Sequence, residues 1–222
     1  AREGTKTLHD VFKMSGLVLY YSAQPNQRVI GLVSPRSGDG RSGIAFQYAM
    51  ALARDGKKTL LVDSDFSNED FTRRLKSQDR IGLSEVLNRA YTPLEAVQYS
   101  GMTNLWYMTA GRIRPDTPWW FDSFRFEAVL HELRRRFDFI FVDMPAVLQH
   151  PEGLHHITAM DGLIVVCDLL HARRKEFQSF MHSLALVKTK PIGVFFNRAA
   201  KPGIWKHQEH FVHPMVERAD VS

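Results

Sequence analysis

One stretch of the sequence decides the fold: Ser34-Pro35-Arg36-Ser37-Gly38-Asp39-Gly40-Arg41-Ser42-Gly43. An apolar run at residues 29–33 comes before it, and a helical pattern at residues 44–54 follows it. The first N–H groups of a helix have no partners within the helix, and the helix dipole favours an anion at that end. A strand, a glycine-containing loop and a helix start, in this order, therefore predict a phosphate-binding loop.

The loop matches the phosphate-loop pattern G-x-x-x-x-G-K-[S/T] only in part. Gly40 and Ser42 fit, whereas Arg41 stands in the place of the lysine and Pro35 in that of the first glycine. Lysine carries a compact charge, while arginine is a wide planar fork that also binds phosphate well. We therefore expect this loop to bind phosphate but to position it differently. The predicted phosphate-binding residues are Ser37, Gly38, Asp39, Gly40, Arg41, Ser42 and Gly43.

Short apolar runs alternate with helical patterns along the chain, which is typical of a parallel sheet covered on both faces. The predicted fold is an α/β, P-loop NTPase-like three-layer α/β/α sandwich with a mostly parallel central sheet, formed by residues 1–200 and followed by a tail at residues 201–222. The predicted strands cover residues 29–33, 59–62, 104–109, 139–142, 163–167 and 192–196. The predicted helices cover residues 8–21, 42–55, 82–87, 92–97, 123–137, 152–160 and 173–188, with Ser84 and Thr92 as N-caps.

The composition is that of an ordinary soluble domain, with 44% hydrophobic and 24% charged residues among 222. No apolar run reaches the length of about 20 residues that a membrane helix needs, and the first residues do not resemble a signal peptide, so a cytoplasmic location is expected. The net charge of +5 allows an anionic partner, but the sequence has no nucleic-acid-binding motif and no nucleic acid partner is expected. The lone Cys167 lies in an apolar run and is expected to be a buried, unreactive thiol.

Three carboxylates, Asp63, Asp65 and Asp143, stand at the C-terminal ends of predicted strands. Ligands bind at that edge of open α/β sheets, and the phosphate-binding loop opens at the same edge. A magnesium nucleotide also needs a hydroxyl ligand and carboxylates that hold the ion or orient water. Ser42 is the candidate hydroxyl, Asp143 the candidate metal holder through water, and Asp63 or Asp65 the candidate catalytic group near the γ-phosphate. The alternative, that these aspartates cap turns, explains one of them more readily than three.

The order of these motifs resembles that of the bacterial tyrosine kinase (BY-kinase) family of capsule and exopolysaccharide export, which is related to deviant-Walker ATPases. The resemblance covers roughly residues 8–200 and includes further motifs in the family's order. The matching segments are Ser37-Gly38-Asp39-Gly40-Arg41-Ser42, Leu60-Leu61-Val62-Asp63-Ser64-Asp65, Gly82-Leu83-Ser84-Glu85-Val86-Leu87, Phe141-Val142-Asp143-Met144-Pro145 and Gly193-Val194-Phe195-Phe196-Asn197-Arg198.

The resemblance implies ATP or ADP with Mg²⁺ as cofactors. It implies a membrane polysaccharide co-polymerase, or its cytoplasmic tail, as partner, and hence a peripheral position at the inner membrane. Position by position, Arg41 takes the place of the loop lysine, Ser42 that of the magnesium hydroxyl and Asp143 that of the Walker B aspartate. Asn197 matches an asparagine that reads the adenine edge, a role that suits an amide because it both donates and accepts.

Two departures concern the tyrosine chemistry of the family. The tail at residues 201–222 contains no tyrosine, although the family carries its phosphoacceptor cluster there. The family's E-x-x-R-x-x-R oligomerisation helix appears as Asp10-x-x-Lys13-x-x-Gly16, so ring assembly through this contact is poorly supported. Three functions stay open: an ATP-binding regulator of exopolysaccharide or capsule biosynthesis that is impaired as an autokinase, an active ATPase or tyrosine kinase, and a nucleotide-free scaffold.

Two further clusters have structural interpretations as well as functional ones. His150, Glu152, His155 and His156 lie close together, but no second cluster completes the three or four ligands of a zinc site, and a solvated helix face explains them better. Trp119-Trp120-Phe121 either form an exposed protein or membrane contact or cover the edge of the core.

Overall fold

The computed structural model describes residues 12, 16, 28–67, 81–112, 123–150, 153–187 and 191–198. Its sheet has the seven strands β1 Val29–Val33, β2 Thr59–Asp63, β3 Gln98–Tyr99, β4 Leu105–Met108, β5 Phe139–Asp143, β6 Gly162–Asp168 and β7 Pro191–Asn197. Their order across the sheet is β3-β4-β2-β5-β1-β6-β7. All neighbours pair in parallel except β3, which is antiparallel to β4. The predicted α/β fold with a mostly parallel sheet is confirmed, and β3 is a short strand that the sequence reading missed.

The helices among the described residues are α1 Arg41–Arg54, α2 Leu83–Leu87, α3 Ser123–Leu133, α4 Leu154–Ile157 and α5 Arg174–Leu186. Phe12 and Gly16 are also helical, within the predicted first helix. The other predicted features at residues 1–27, 113–122 and 201–222, including the tryptophan pair and the tyrosine-free tail, lie outside the described residues.

Both faces of the sheet are covered, and every residue of the central strands β1, β2, β5 and β6 is buried. On one face, β1 and β5 pack against α1 and against Phe12, whose ring is stacked on Phe195 with centroids 5.2 Å apart. On the other face, Phe126 of α3 and Phe180 of α5 pack against the strands and are fully buried. The edge strand β7 departs from this pattern, since its apolar side chains on the α5 side are about half exposed.

Three local predictions were wrong. Ser84 lies inside α2, and Gly82 is its N-cap, where the Gly82 N–H donates to Glu85 Oε2 at 2.9 Å. Residues 93–96 form a turn instead of a helix, although the Thr92 N–H donates to the Glu95 carboxylate as in a capping box, and Thr92 Oγ donates to the same carboxylate. The helix α3 ends at Leu133, so the basic residues 134–136 follow it in a turn.

Candidate phosphate-binding site

The loop between β1 and α1 turns through two glycines with left-handed backbone conformations. Gly38 has φ +86° and Gly40, the N-cap of α1, has φ +93°, a region that other residues rarely adopt. A Cβ atom added at Gly40 would lie 2.2 Å from the side-chain nitrogen of Asn197. Conformation and packing therefore both require glycine at this position. Within the predicted binding residues, Ser37, Gly38 and Gly43 are exposed, Gly40 and Ser42 are half-buried, and Asp39 and Arg41 are buried.

Arg41, at the first turn of α1, points its guanidinium group into the protein and is only 5% exposed. Its Nε donates to Asp143 Oδ1 at 3.1 Å, and its Nη2 donates to Asp65 Oδ2 at 2.7 Å. Its Nη1 donates to Ser34 Oγ at 2.8 Å. The side chain in the lysine position is thus bound by two carboxylates and a hydroxyl of its own chain.

The three predicted carboxylates meet at this edge of the sheet because β2 and β5 are neighbours that pair Asp63 with Asp143. All three are at most 4% exposed. Asp63 Oδ1 accepts from the Asp65 N–H at 3.0 Å, which fixes the turn after β2. Asp65 Oδ1 in turn accepts from the N–H and the hydroxyl of Ser67. The sequence prediction that these residues come together with the loop is confirmed by their positions, while their chemical roles stay predictions.

Burial sets the electrostatics of Asp143. Its removal from water raises the pKa of the Asp143 carboxyl above its ordinary value of 3.8, while the Arg41 charge and the neighbouring Ser42 hydroxyl act in the lowering direction. Asp65, as a like charge, adds to the rise. The Arg41 guanidinium is the cation that this buried acidic pair depends on.

Asp39 folds back into the loop instead of pointing outward. Its Oδ2 accepts from the Arg36 N–H at 3.1 Å, and burial raises the pKa of its carboxyl. The Asp39 carbonyl accepts from Asn197 Nδ2 at 2.9 Å, and Asn197 Oδ1 accepts from the Arg198 N–H at 3.0 Å. The predicted adenine reader therefore lies against the back of the loop, and its role toward a base stays a prediction.

Several residues that support the loop were missed by the sequence reading. Ser34 accepts from Arg41 and donates to the Arg36 carbonyl at 2.7 Å. Gln149 Oε1 accepts from the Ser37 N–H at 3.0 Å. Arg36 reaches across the loop to the His171 carbonyl at 3.1 Å and forms an ion pair with Glu176. Ser34 and Arg36 belong to the loop stretch itself, whereas Gln149, His171 and Glu176 lie more than 100 residues away in sequence, where no local pattern points to the loop.

The predicted magnesium ligands fit such an ion in their chemistry. Mg²⁺ takes oxygen ligands and is commonly held by one or two protein groups together with substrate phosphates. Asp143 Oδ2 is buried without a hydrogen-bond partner, and the hydroxyl of Ser42 acts on the same carboxylate. These two groups would hold the ion, which would neutralise charge on bound phosphates.

Of the predicted cluster, Glu152 and the side chain of His155 lie outside the described residues, and within those residues no group of three or more His, Cys, Asp or Glu side chains could hold a metal ion. The expectation of a solvated helix face is wrong for His156, which is 3% exposed and packs its ring 4.8 Å from that of Phe126. The α4 helix turns this side chain toward α3 instead of solvent. Cys167 is buried as expected, and burial raises the pKa of its thiol.

A parallel sheet with a glycine loop at the start of a helix and aspartates at the adjoining strand ends defines a P-loop protein of the α/β class. The sequence model of one family, described as ATPase MipZ, matches residues 28–168. The chain belongs to this family of Walker-type ATPases, and its relatives include bacterial tyrosine kinases.

Two relatives and one solved structure illustrate the similarity. The tyrosine-protein kinase CpsD of Streptococcus pneumoniae serotype 4 is 26% identical over 172 residues, which are 77% of this chain and 76% of CpsD. The succinoglycan biosynthesis transport protein ExoP of Rhizobium meliloti is 25% identical over 190 residues, which are 84% of this chain but 24% of ExoP, so the chain spans about a quarter of that relative. The kinase domain of VpsO superposes with a TM-score of 0.75 at 23% identity, covering 86% of this chain and 95% of that domain, and shows the shared fold.

Among the described residues, none of the helices is both long and apolar enough to span a membrane.

Proposed function

We propose that this chain is an ATP-binding P-loop protein that regulates exopolysaccharide or capsule biosynthesis and is impaired as a tyrosine autokinase. The family and the relatives support the nucleotide and the polysaccharide link. The observation that carries the impairment is the direction of the Arg41 side chain, whose three nitrogens are bound to Ser34, Asp65 and Asp143.

The energetic reason is the cost of moving Arg41 toward a phosphate. Phosphoryl transfer is accelerated mainly by positive groups placed on the transferring phosphate. To serve there, Arg41 would leave two buried carboxylates without their cation, which costs about 3–5 kcal/mol. A barrier raised by that amount slows transfer by roughly 10²–10⁴-fold, since each 1.36 kcal/mol is about tenfold in rate.

Nucleotide binding does not require Arg41 to leave Asp65 and Asp143, so it does not carry the cost of unpairing them. The N-terminus of α1 favours an anion whichever way Arg41 points, Gly38 and Gly43 are exposed beside it, and Ser42 is half-buried at the same place. We expect ATP and ADP to bind without phosphate transfer at a useful rate. The partner would be the cytoplasmic part of a membrane polysaccharide co-polymerase, which would read the nucleotide state.

Calorimetric titration with MgATP and MgADP, followed by labelled phosphate transfer to a tyrosine peptide, tests this proposal. The wild type is expected to bind both nucleotides and to transfer phosphate no faster than Asp63→Asn. Arg41→Lys, which supplies a slimmer cation, is expected to raise transfer at least tenfold. The matched control is Arg135→Lys, an exposed position in the turn after α3 that should change nothing.

A second function, an active ATPase or tyrosine kinase, is favoured by the assembly of Ser42, Asp63, Asp65 and Asp143 at one edge. Wild-type transfer well above that of Asp63→Asn would establish it in place of the impaired regulator. Absence of any nucleotide binding by the wild type would instead favour a nucleotide-free scaffold. Co-purification with the cytoplasmic tail of a polysaccharide co-polymerase, with and without ATP, tests the partner.

A further inference from the structure

The Arg41 guanidinium lies where an ion between two carboxylates would lie. Asp65 is 4% and Asp143 1% exposed, and carboxylates removed from water in this way need a positive partner. Arg41 is the cation seen between them, with N···O distances of 2.7 Å to Asp65 and 3.1 Å to Asp143. The single positive charge of Arg41 therefore compensates part of the charge of this pair from within the chain.

The atoms around this guanidinium are also those that a hard divalent cation prefers. The three contacts of Arg41 are all to oxygens, from Asp65, Asp143 and the hydroxyl of Ser34. A fourth oxygen, Asp143 Oδ2, is buried and has no hydrogen-bond partner. Mg²⁺ and Mn²⁺ bind carboxylate and hydroxyl oxygens and complete their coordination with water.

We propose that Arg41 takes the place of a divalent cation between Asp65 and Asp143, and that removing its charge turns these oxygens into a binding site for Mg²⁺ or Mn²⁺. We therefore expect the wild-type protein without nucleotide to bind no metal ion between Asp65 and Asp143. A variant without the guanidinium depends on one.

The fixed carboxylate of Asp65 and the unbound oxygen of Asp143 both suit the replacement of the Arg41 guanidinium by a metal ion. Asp65 Oδ1 is held by Ser67, so the other oxygen of Asp65 keeps its direction toward the position of Arg41. Asp143 presents both oxygens, one bound to Arg41 and one unpartnered. An ion that is smaller than a guanidinium group leaves room for the waters that Mg²⁺ retains.

Thermal unfolding of nucleotide-free protein tests the proposal, in EDTA and in millimolar MgCl₂ at constant ionic strength. We expect the Tm of the wild type to agree within about 1 °C between the two conditions, as no binding predicts. Arg41→Met keeps an unbranched stem without charge, melts lower in EDTA, and should gain about 5 °C at saturating Mg²⁺ because the ion binds only the folded state. The double variant Arg41→Met/Asp65→Asn removes one ligand and should not respond.

Mn²⁺ binding followed by electron paramagnetic resonance covers the case in which Arg41→Met does not fold. Arg41→Gln retains a hydrogen-bond donor on a shorter, uncharged side chain, and it should bind one equivalent of Mn²⁺ that the wild type does not bind. A folded Arg41→Gln that binds no Mn²⁺ overturns the proposal. So does a wild type that binds one equivalent and loses it in Asp65→Asn. Because neither experiment contains nucleotide, these results are independent of whether the loop binds ATP.

Discussion

Asp143 and Asp168 occupy equivalent places, each as the last residue of a buried strand, yet their surroundings differ. Both side chains are almost fully buried, at 1% and 2% exposure. The arginine that pairs with Asp143 is itself 6% exposed, whereas Arg198, which pairs with Asp168 at 2.9 Å, is 40% exposed. The exposed fractions of the two aspartates are alike, whereas the exposed fractions of their arginine partners differ.

The pKa shifts of the two aspartates run in opposite directions. Burial acts first on both carboxyls and raises the pKa, and for Asp143 it prevails over Arg41. For Asp168 the hydrogen bonds from His171 and from the Leu170 N–H, together with the Arg198 charge, outweigh burial and lower the pKa. The ion pair at the end of β5 is buried on both sides, whereas the ion pair at the end of β6 is open to solvent through Arg198.

The largest expected contrast is between the two arginines. Arg41→Met leaves two buried carboxylates unpaired and should lower the free energy of unfolding by about 3–5 kcal/mol in EDTA. Arg198→Met breaks a pair that solvent screens and should cost about 1 kcal/mol or less. Urea unfolding of both variants measures the difference. Equal losses would mean that burial of the cation does not separate the two regions.

A smaller effect is expected where the two regions touch, at Gly40 and Asn197. Gly40→Ala places a methyl group 2.2 Å from the Asn197 side-chain nitrogen at φ +93°, and should cost about 1–3 kcal/mol. Gly43→Ala is the matched control, because its Cβ meets nothing within 4 Å and alanine favours the helix by about 0.5–1 kcal/mol. Chemical unfolding of both variants checks this pair. A Gly40→Ala variant as stable as wild type would show that the loop and β7 are not in tight contact.

The smallest effect is in the pH dependence of stability of Asp143→Asn and Asp168→Asn. Asp168 has a lowered folded-state pKa, so the stability it adds is present above pH 3.8 and is lost as the pH falls below it. Asp143 has a raised folded-state pKa, so its contribution is greatest below pH 3.8 and declines as the pH rises through the raised value. Urea unfolding across this range should show wild-type-minus-variant differences of opposite slope. Parallel slopes would remove the electrostatic distinction.

Local sequence was sufficient for most of the fold because the strands other than β3 and the longer helices each carry their own pattern. Five consecutive apolar residues predicted β1, and the helical pattern at residues 44–54 predicted α1. The turn at residues 93–96 was predicted as a helix because Thr92 and Pro93 favour a helix start, which the following residues do not continue. His156 was misjudged because four residues of helix have no clear face until α3 packs against them.

For the site, the sequence determined which groups meet: a glycine loop and three strand-end aspartates, brought to one edge by the parallel order of β1, β2 and β5. Only the tertiary structure decided what Arg41 does there. An arginine side chain is long enough to reach outward to a phosphate or inward to Asp65 and Asp143, and sequence spacing does not distinguish the two. The inward direction follows from burial, because two carboxylates removed from water bind the nearest cation.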